Sequence, residues 1–388
     1  MQTHALYYDD CHIRQFSSRV TDCRPRENGY LITLEQTAFY PEGGGQLCDT
    51  GTLNGIPVTA VREQDGQVVH LCREALAVGQ AVTGQIDWQR RFDQMQQHTG
   101  EHILSGLIHA RFGFHNSGFH VGAQVMEVDF DGMIPPQALE ELEAQANALI
   151  WQNLPVKSYI PAPEALSEIP YRSKRELSYP VRIVEIPGVD TCACCGVHVA
   201  TTGEVGLLKI LSFVKFHGGV RLELVCGGRA YRYLGQIFDQ NRQISQLLSA
   251  RLPETAVAVQ KLSQALAEEK FRTVALKKQL FSLTAAQYRG KGNVLHWEEA
   301  LTGSEQRELA EAICQACGGN AVVITPAPDG SSRLCLITAG EDSKALGSAA
   351  MAALGGRGGG KACAFSGIVP ATPSEIWAYF GNYHKNFA

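Results

Sequence analysis

The sequence predicts an α+β protein built from more than one domain. At 388 residues the chain is longer than one domain of about 100–200 residues. Its 45% hydrophobic residues are enough to fill sizeable cores, which excludes a globally disordered chain. Strand-like runs between turn signals occupy the first part of the chain, and helical spacing of apolar residues becomes frequent later. This order of patterns predicts strands first, then mixed and helical segments.

Residues 1–90 are predicted to form a small antiparallel β-barrel. The dipeptides Asn28-Gly29, Asn54-Gly55 and Asp65-Gly66 are strong signals for hairpin turns. The segments between them have the composition of strands. Because a barrel buries several short strands and leaves few edges exposed, it is the natural closure for this segment.

Residues 91–235 mix helical and strand patterns. Apolar residues recur at helical spacing over 92–112, and Pro135-Pro136 announces a second helix that continues to 153. Strands are predicted at 124–130, 181–185, 205–214 and 221–225. We expect a second α+β domain here.

Residues 236–290 predict two helices that form a linker. Apolar residues follow three-, four- and seven-residue steps, and Pro253 marks a break between the helices. A helical hairpin accounts for the pattern, and a coiled coil that joins two copies into a homodimer accounts for it equally well.

Residues 291–388 predict an α/β domain. A helix over 304–317 ends at Gly318-Gly319, a typical C-cap. The run from Gly355 to Lys361 contains five glycines around Arg357. Such a run suits close backbone approach to a phosphate or nucleic acid, and a plain flexible loop nearly as well.

Charge and targeting signals narrow the class of protein further. The net charge of −5 does not by itself indicate a nucleic-acid binder, although residues 251–291 carry eight Lys or Arg against three Glu. No apolar run is long enough to span a bilayer, and no secretory signal begins the chain. The 12 cysteines are scattered, so we expect reduced thiols, a cytoplasmic location and no membrane partner.

Two short motifs about 90 residues apart predict a zinc site. His98 and His102 lie one turn apart on the predicted helix, and Cys194 and His198 have the same spacing in a glycine-containing loop. Either pair alone is weak, but together they supply the four ligands that tetrahedral Zn²⁺ prefers. Glu101 lies between the two helical histidines. It is the candidate catalytic base or a partner of a metal ligand, and an ordinary helix carboxylate is the alternative.

Four features in this order resemble the editing and C-terminal portions of alanyl-tRNA synthetase, and more closely the free-standing AlaX editing proteins. They are the block Thr37-Ala38-Phe39-Tyr40-Pro41-Glu42-Gly43-Gly44-Gly45-Gln46, the His98–His102 motif, the Cys194–His198 loop and the C-terminal glycine run. The resemblance implies a zinc editing domain at 91–235 and a DHH-associated-like domain at 291–388. The adenylate-forming domain has no counterpart in the sequence.

The resemblance also implies an activity. The protein is expected to deacylate tRNA(Ala) that carries serine or glycine, and not to charge tRNA. A second hydrolytic site is needed because one methyl group is worth only about 1–3 kcal/mol of discrimination, and an apolar pocket rejects an added hydroxyl weakly. The partner is therefore tRNA, with Arg357 and Lys361 as candidate contacts to its body.

The same resemblance assigns roles near the ester bond. His98, His102, Cys194 and His198 match the family's zinc positions. Gly44, Gly45 and Gln46 are candidates for binding the ester or the tRNA end, and His120 is a weaker pocket candidate. The synthetase pattern Cys-Gly-Gly-Thr-His differs here, since Cys195 and Val197 replace a glycine and the threonine while the ligands are retained.

Two other functions stay open from the sequence. His98–His102 also reads as H-x-x-E-H, an inverted zinc-peptidase motif, which would leave the cysteine loop without a role. A non-catalytic protein that binds tRNA around a structural zinc is the other alternative. Four protein ligands form a closed tetrahedron, so hydrolysis needs either an exchangeable ligand or a zinc that only orients substrate.

Overall fold

The computed structural model describes residues 3–173, 179–327 and 329–385. Helices and several sheets occur together, which confirms the α+β class. The chain folds into two compact units, Met1–Gln243 and Ile244–Ala388. The finer domain boundaries at 90, 235 and 290 stay a prediction. Among the described residues, no helix combines the length and apolarity needed to span a membrane.

The first unit begins with a six-stranded closed barrel in the order β2-β3-β7-β6-β5-β8. Asn54 and Asp65 adopt positive φ in two of its hairpin turns, as the predicted turn types require. The elements in chain order are β1 (His4–Ala5), α1 (Leu6–Asp9), β2 (Gln15–Arg26), β3 (Gly29–Leu34), β4 (Gln36–Thr37), β5 (Gly51–Leu53), β6 (Ile56–Gln64), β7 (Gln67–Cys72) and β8 (Ala81–Ile86).

A long helix and two antiparallel sheets follow the barrel. One sheet has the order β14-β15-β10-β9 and the other β11-β12-β13. The elements are α2 (Trp88–Phe112), β9 (Asn116–Val121), β10 (Met126–Phe130), α3 (Pro136–Trp151), β11 (Lys157–Tyr159), α4 (Pro163–Leu166), β12 (Ile183–Ile186), β13 (Asp190–Ala193), a 3₁₀ turn (Thr202–Val205), β14 (Leu208–Phe216), β15 (Gly219–Cys226) and α5 (Gly227–Leu248).

Helix α2 begins four residues before the predicted start at 92. The side chain of Asp87 accepts a hydrogen bond from Arg90 N at 3.2 Å, which caps the first turn. The helix ends at Gly113, whose φ of 72° gives the left-handed C-cap. Its inner face packs in a core with β9, β10, β15 and α3, so the middle of α2 is buried.

The second unit is a six-stranded mixed sheet with helices. The sheet order is β19-β20-β18-β17-β16-β21. The elements are a 3₁₀ turn (Leu252–Glu254), α6 (Thr255–Ala286), β16 (Gly292–Trp297), α7 (Gly303–Cys317), β17 (Gly318–Pro326), β18 (Ser332–Ile337), α8 (Ser343–Ala353), β19 (Arg357–Lys361), β20 (Ala364–Val369), α9 (Pro373–Tyr379) and β21 (His384–Lys385).

The interpretation of the C-terminal glycine run as a loop is wrong. Arg357–Lys361 is a strand that pairs in antiparallel with β20. A Cβ on Gly358 would lie 2.5 Å from Ser366 O, and one on Gly360 2.3 Å from Ala364 O. These glycines therefore permit close approach of the neighbouring strand's backbone.

Candidate metal centre

The structure brings the four predicted metal ligands into one buried cluster. Helix α2 presents His98 and His102, and the loop after β13 presents Cys194 and His198. Their ligand atoms all lie within 4.8 Å of one another. Cys194 Sγ is 3.5 Å from both His98 Nε2 and His198 Nε2. We call these four residues the four-ligand cluster.

The donor set of the four-ligand cluster fits Zn²⁺. With Zn–N and Zn–S bonds of about 2.0–2.3 Å, the edges of a tetrahedron are about 3.3–3.7 Å. The 3.5 Å separations from Cys194 Sγ fall in this range. A soft thiolate with three borderline imidazoles is a set that zinc takes up readily.

Each imidazole of the cluster is held at its Nδ1 atom by an oxygen from another residue. When Nδ1 donates such a bond, the lone pair of Nε2 is directed at the cluster centre, which is how metal-binding histidines are oriented. The pairs are His98 with Gln46 Oε1 at 2.9 Å, His102 with Asp190 Oδ2 at 2.9 Å, and His198 with Thr99 Oγ1 at 3.2 Å.

The electrostatics of the cluster favour the metal-binding protonation state at Cys194 and at His198. Burial raises the pKa of the Cys194 thiol, but His98 and hydrogen bonds with the other imidazoles outweigh it and hold that pKa well below its usual value. The thiolate is the metal-binding form. Burial, followed by the neighbouring His98, lowers the pKa of His198 to about 3, so this ring is neutral.

Asp190 connects the cluster to a half-buried arginine. Arg172 donates from Nε to Asp190 Oδ1 at 2.8 Å and from Nη2 to Oδ2 at 2.9 Å. Burial opposes ionisation, but bonds from His102 and Arg172 lower the pKa of Asp190. Burial also lowers the pKa of His102, yet Asp190 and Cys194 raise it well above its usual value. The carboxylate thus increases the basicity of a metal-ligand candidate.

Glu101 lies beside the cluster and is 3% exposed. Ser105 Oγ donates to Glu101 Oε1 at 2.6 Å, and Asn116 Nδ2 donates to the same oxygen. Glu101 Oε2 lies 3.9 Å from His102 Nε2. The carboxylate is therefore fixed at one oxygen and directed towards the ligand atoms by the other.

The glycine loop of the Thr37–Gln46 block reaches the cluster. Gly43 and Gln46 exchange backbone hydrogen bonds of 3.0 and 3.1 Å, which closes a tight turn. A Cβ on Gly45, where φ is 82°, would lie 2.5 Å from Phe119 Cδ1. Gln46 Oε1 accepts from Val197 N at 3.2 Å as well as from His98. Gly44, at φ 60°, has open space around its Cβ position.

Within the described residues, three other predicted site residues are neither ligands of the cluster nor hydrogen-bond partners of those ligands. The side chain of His120 on β9 is exposed, whereas the preceding residue, Phe119, stacks on the His98 ring at 4.8 Å between centroids. Successive strand residues face opposite sides, so Phe119 takes the position foreseen for His120. Arg357 and Lys361 are exposed on β19 of the second unit.

Several residues of the site carry no signal in the sequence. Asp190 and Arg172 precede the cysteine loop without a recognisable spacing, and Thr99 is an ordinary polar residue inside a helix. Phe119 could have been found from the alternation of strand β9, had that strand been predicted. Asn116 is distant in sequence from the carboxylate that it contacts.

Comparison with known proteins places the chain among proteins related to aminoacyl-tRNA synthetases. Residues 2–90 match the family model "tRNA synthetases class II (A)". Residues 181–222 match the "Threonyl and Alanyl tRNA synthetase second additional domain". This second match includes Cys194 and His198.

The most similar proteins define the family more closely. The alanyl-tRNA editing protein Aarsd1 of Danio rerio is 28% identical over 378 residues, 92% of each chain. AlaX-L of Pyrococcus horikoshii is 32% identical over 242 residues, 60% of each chain. An alanine–tRNA ligase of Thermofilum pendens is 30% identical over 396 residues, but the chain covers only 43% of its length. The chain is thus similar over most of its length to alanyl-tRNA editing proteins, which confirms the resemblance inferred from the motifs.

Proposed function

We propose that the protein hydrolyses the ester bond of tRNA(Ala) charged with serine or glycine, at a zinc ion bound by the four-ligand cluster. The observation that carries this proposal is the convergence of Cys194 Sγ and three oriented imidazole Nε2 atoms from two remote segments. Similarity to the editing proteins supports the tRNA substrate. The amino acid removed is proposed on the resemblance alone.

Zinc bound by His98, His102, Cys194 and His198 would polarise the ester carbonyl as a Lewis acid if one of the four ligands exchanges for the carbonyl oxygen. Glu101 is proposed as the general base that accepts the proton of the attacking water. Its Oε2 faces the ligand atoms, and its Oε1 is held by Ser105 and Asn116. A base in this position contributes about 10²–10⁴-fold.

Gly44, Gly45 and Gln46 are proposed to receive the ester. Both hydrogen bonds to Gln46 Oε1 come from the protein. Gln46 Nε2 is buried and has no hydrogen-bond partner among the described residues, so it is the donor of this loop that can meet a substrate oxygen. Arg357 and Lys361, both exposed, are proposed to contact tRNA phosphates.

The first test is deacylation by the purified full chain. Serine-charged, glycine-charged and alanine-charged tRNA(Ala) are incubated with protein, and ester loss is followed. We expect rapid loss of serine or glycine and retention of alanine. Charged tRNA that binds but survives at high protein concentration would instead support the non-catalytic tRNA-binding alternative.

A pair of adjacent cysteines provides a matched test of the metal. Cys194→Ser should abolish deacylation and lower zinc affinity by more than the about 10–100-fold expected for loss of an outer partner. Cys195→Ser, at the exposed neighbouring cysteine, should change neither. In protein loaded with Co²⁺, the thiolate charge-transfer band should disappear only in Cys194→Ser. An H-x-x-E-H peptidase would retain its metal in both variants.

The role of Glu101 is tested by Glu101→Gln. If Glu101 is the base, this substitution should lower kcat about 10²–10⁴-fold and leave the zinc content unchanged. It should also remove the acidic limb of the pH–rate profile. If zinc affinity falls while kcat of the loaded enzyme is retained, Glu101 only supports His102.

A further inference from the structure

A cleft lies beside the metal centre, in the first unit. It has a volume of about 670 Å³ and lies along the N-terminal part of α2. The loop residue Leu47, Ala123 and the first turn of α5 complete its walls. None of the metal ligands, Glu101 or the predicted tRNA contacts is among its lining residues.

The cleft adjoins the four-ligand cluster along the helix. Gln94 lines the cleft and precedes His98 by one helical turn, a rise of about 6 Å on the same face. Leu47, which also lines the cleft, directly follows Gln46, whose Oε1 lies 2.9 Å from His98 Nδ1. A ligand in the cleft can therefore place one end at the metal centre.

Gln94 is a buried polar side chain whose amide oxygen has no hydrogen-bond partner among the described residues. It is 2% exposed, and its Oε1 accepts no hydrogen bond from the part of the chain that the structure describes. Buried amide oxygens are nearly always hydrogen-bonded. By contrast, the neighbouring Gln96 donates to Glu204 O at 2.9 Å and accepts from Gly228 N at 3.2 Å. The amide oxygen of Gln94 is thus available to a ligand.

The charges around the cleft favour a ligand with phosphate groups. Both α2 and α5 begin at the cleft, so the positive ends of two helix dipoles face it. Arg229 is neutralised by Asp93 at 2.7 Å, and Asp87 caps α2. Arg90 and Arg232 add positive charge at the rim; Arg232 is exposed.

The remaining wall of the cleft is aromatic. The rings of Trp88 and Phe92 stack at 5.5 Å between centroids, and both line the cleft. Single-stranded RNA is recognised by this combination of aromatic surface, basic groups and amides that read base edges.

We propose that this cleft binds the single-stranded 3′ end of tRNA. The terminal adenine pairs with the amide of Gln94, a side chain suited to the N6 and N7 atoms of adenine, and packs against Phe92. The phosphates that precede it lie at Arg90 and Arg232. The inference rests on the proposed function, because it directs the esterified ribose to the metal centre.

The test measures binding of uncharged tRNA(Ala) that ends in CCA or in CC. The unaltered protein should bind the tRNA that lacks the terminal adenosine about tenfold more weakly, within the range for a bidentate base contact. Gln94→Met should bind both equally while retaining its zinc content. Gln137→Met, an exposed glutamine on α3, is the control and should discriminate like the unaltered protein. Equal binding of both tRNAs by the unaltered protein, or retained discrimination in Gln94→Met, would overturn the proposal.

A second variant tests the phosphate contacts. Arg232→Ala should weaken binding of both tRNAs equally and reduce the slope of log affinity against log salt by about 1. Arg242→Ala, further along α5 and paired with Asp239 at 3.1 Å, is the control. If Arg232→Ala and Arg242→Ala give the same slope of log affinity against log salt, Arg232 does not contact a tRNA phosphate.

These binding measurements do not depend on hydrolysis. A protein that discriminates the terminal adenosine but leaves every charged tRNA intact would retain the cleft and refute the proposed function. A protein that deacylates normally, with end discrimination unaffected by Gln94→Met, would refute the cleft alone.

Discussion

A buried ion pair joins the metal helix to the segment around the Thr37–Gln46 block. Arg91 on α2 is 0% exposed and Asp49 is 1% exposed. Arg91 Nε lies 3.0 Å from both carboxylate oxygens, and Nη1 donates to Cys11 O at 3.1 Å. Asp49 also accepts from Tyr40 N at 2.6 Å. The pair therefore ties α2 to the block that carries the glycine loop.

Arg91→Met should destabilise this region by about 3–5 kcal/mol, because Asp49 is left buried and unpaired. That is a large part of the about 5–15 kcal/mol that usually stabilises a domain. Hydrogen–deuterium exchange of peptides from α2, with native-state opening free energies compared between variants, measures the loss. Zinc affinity should fall with it, since the same block supplies Gln46 Oε1 to His98.

An exposed ion pair between α2 and α3 is the control. Arg111 and Glu141 are 2.7 Å apart with side chains 39% and 58% exposed, so Arg111→Met should cost at most about 1 kcal/mol. A double-mutant cycle with Asp49→Asn should show coupling, with the double variant losing less than the sum of the singles. A loss in Arg91→Met no larger than in Arg111→Met, or additive singles, would refute the reasoning.

Three further predictions follow from the site and the barrel. In Gly196→Ala, the new Cβ would lie 2.1 Å from His98 Cε1. We therefore expect zinc affinity, measured by competition with a chelator, to fall at least about tenfold. Unchanged affinity would contradict the close packing of Gly196 against His98. In Asp190→Asn, the same assay should show a loss of about 10–100-fold, because the bond from an imidazole to a carboxylate is weakened. Burial lowers the pKa of His70 from 6.5 to about 4. Its stabilising effect is therefore complete above pH 6.5 and is lost as the pH falls towards 4. The unfolding free energy decreases by up to about 3 kcal/mol in total over this window. His70→Leu should flatten the pH dependence of the unfolding free energy in that window, whereas His120→Gln, at an exposed histidine, should not; equal slopes would show that His70 titrates normally.

The parts of the molecule that could be predicted are those set by neighbours in sequence. Hairpin turns need residues that tolerate positive φ, so Asn54-Gly55 and Asp65-Gly66 mark them directly. The spacing of His98 and His102 places both rings on one helix face. Because the remaining ligands have the same four-residue spacing, the cluster could be predicted without knowing how the chain folds between them.

The partners of the ligands could not be predicted, since they depend on packing between remote segments. Asp190 reaches His102 because Gly106 on α2 allows close approach of the neighbouring chain: a Cβ there would lie 2.4 Å from Val189 O. The strand formed by the C-terminal glycine run could not be predicted for a similar reason. Glycine marks both loops and strands in close contact, and only the pairing of β19 with β20 separates the two.

Gln46 shows how one block of sequence can serve both structure and chemistry. An amide oxygen has two lone pairs, and Gln46 Oε1 uses both for the backbone of Val197 and the ring of His98. It thereby sets the cysteine loop against the metal helix, so its loss would disturb the metal ligands before it affected any substrate. The substrate role assigned to the block depends instead on Nε2, which is buried without a partner among the described residues. The variant Gln46→Glu keeps the oxygen and removes the amide nitrogen, so it separates the two roles. If zinc is retained and deacylation is lost, Nε2 binds the ester. If zinc is lost, the whole side chain serves to support His98.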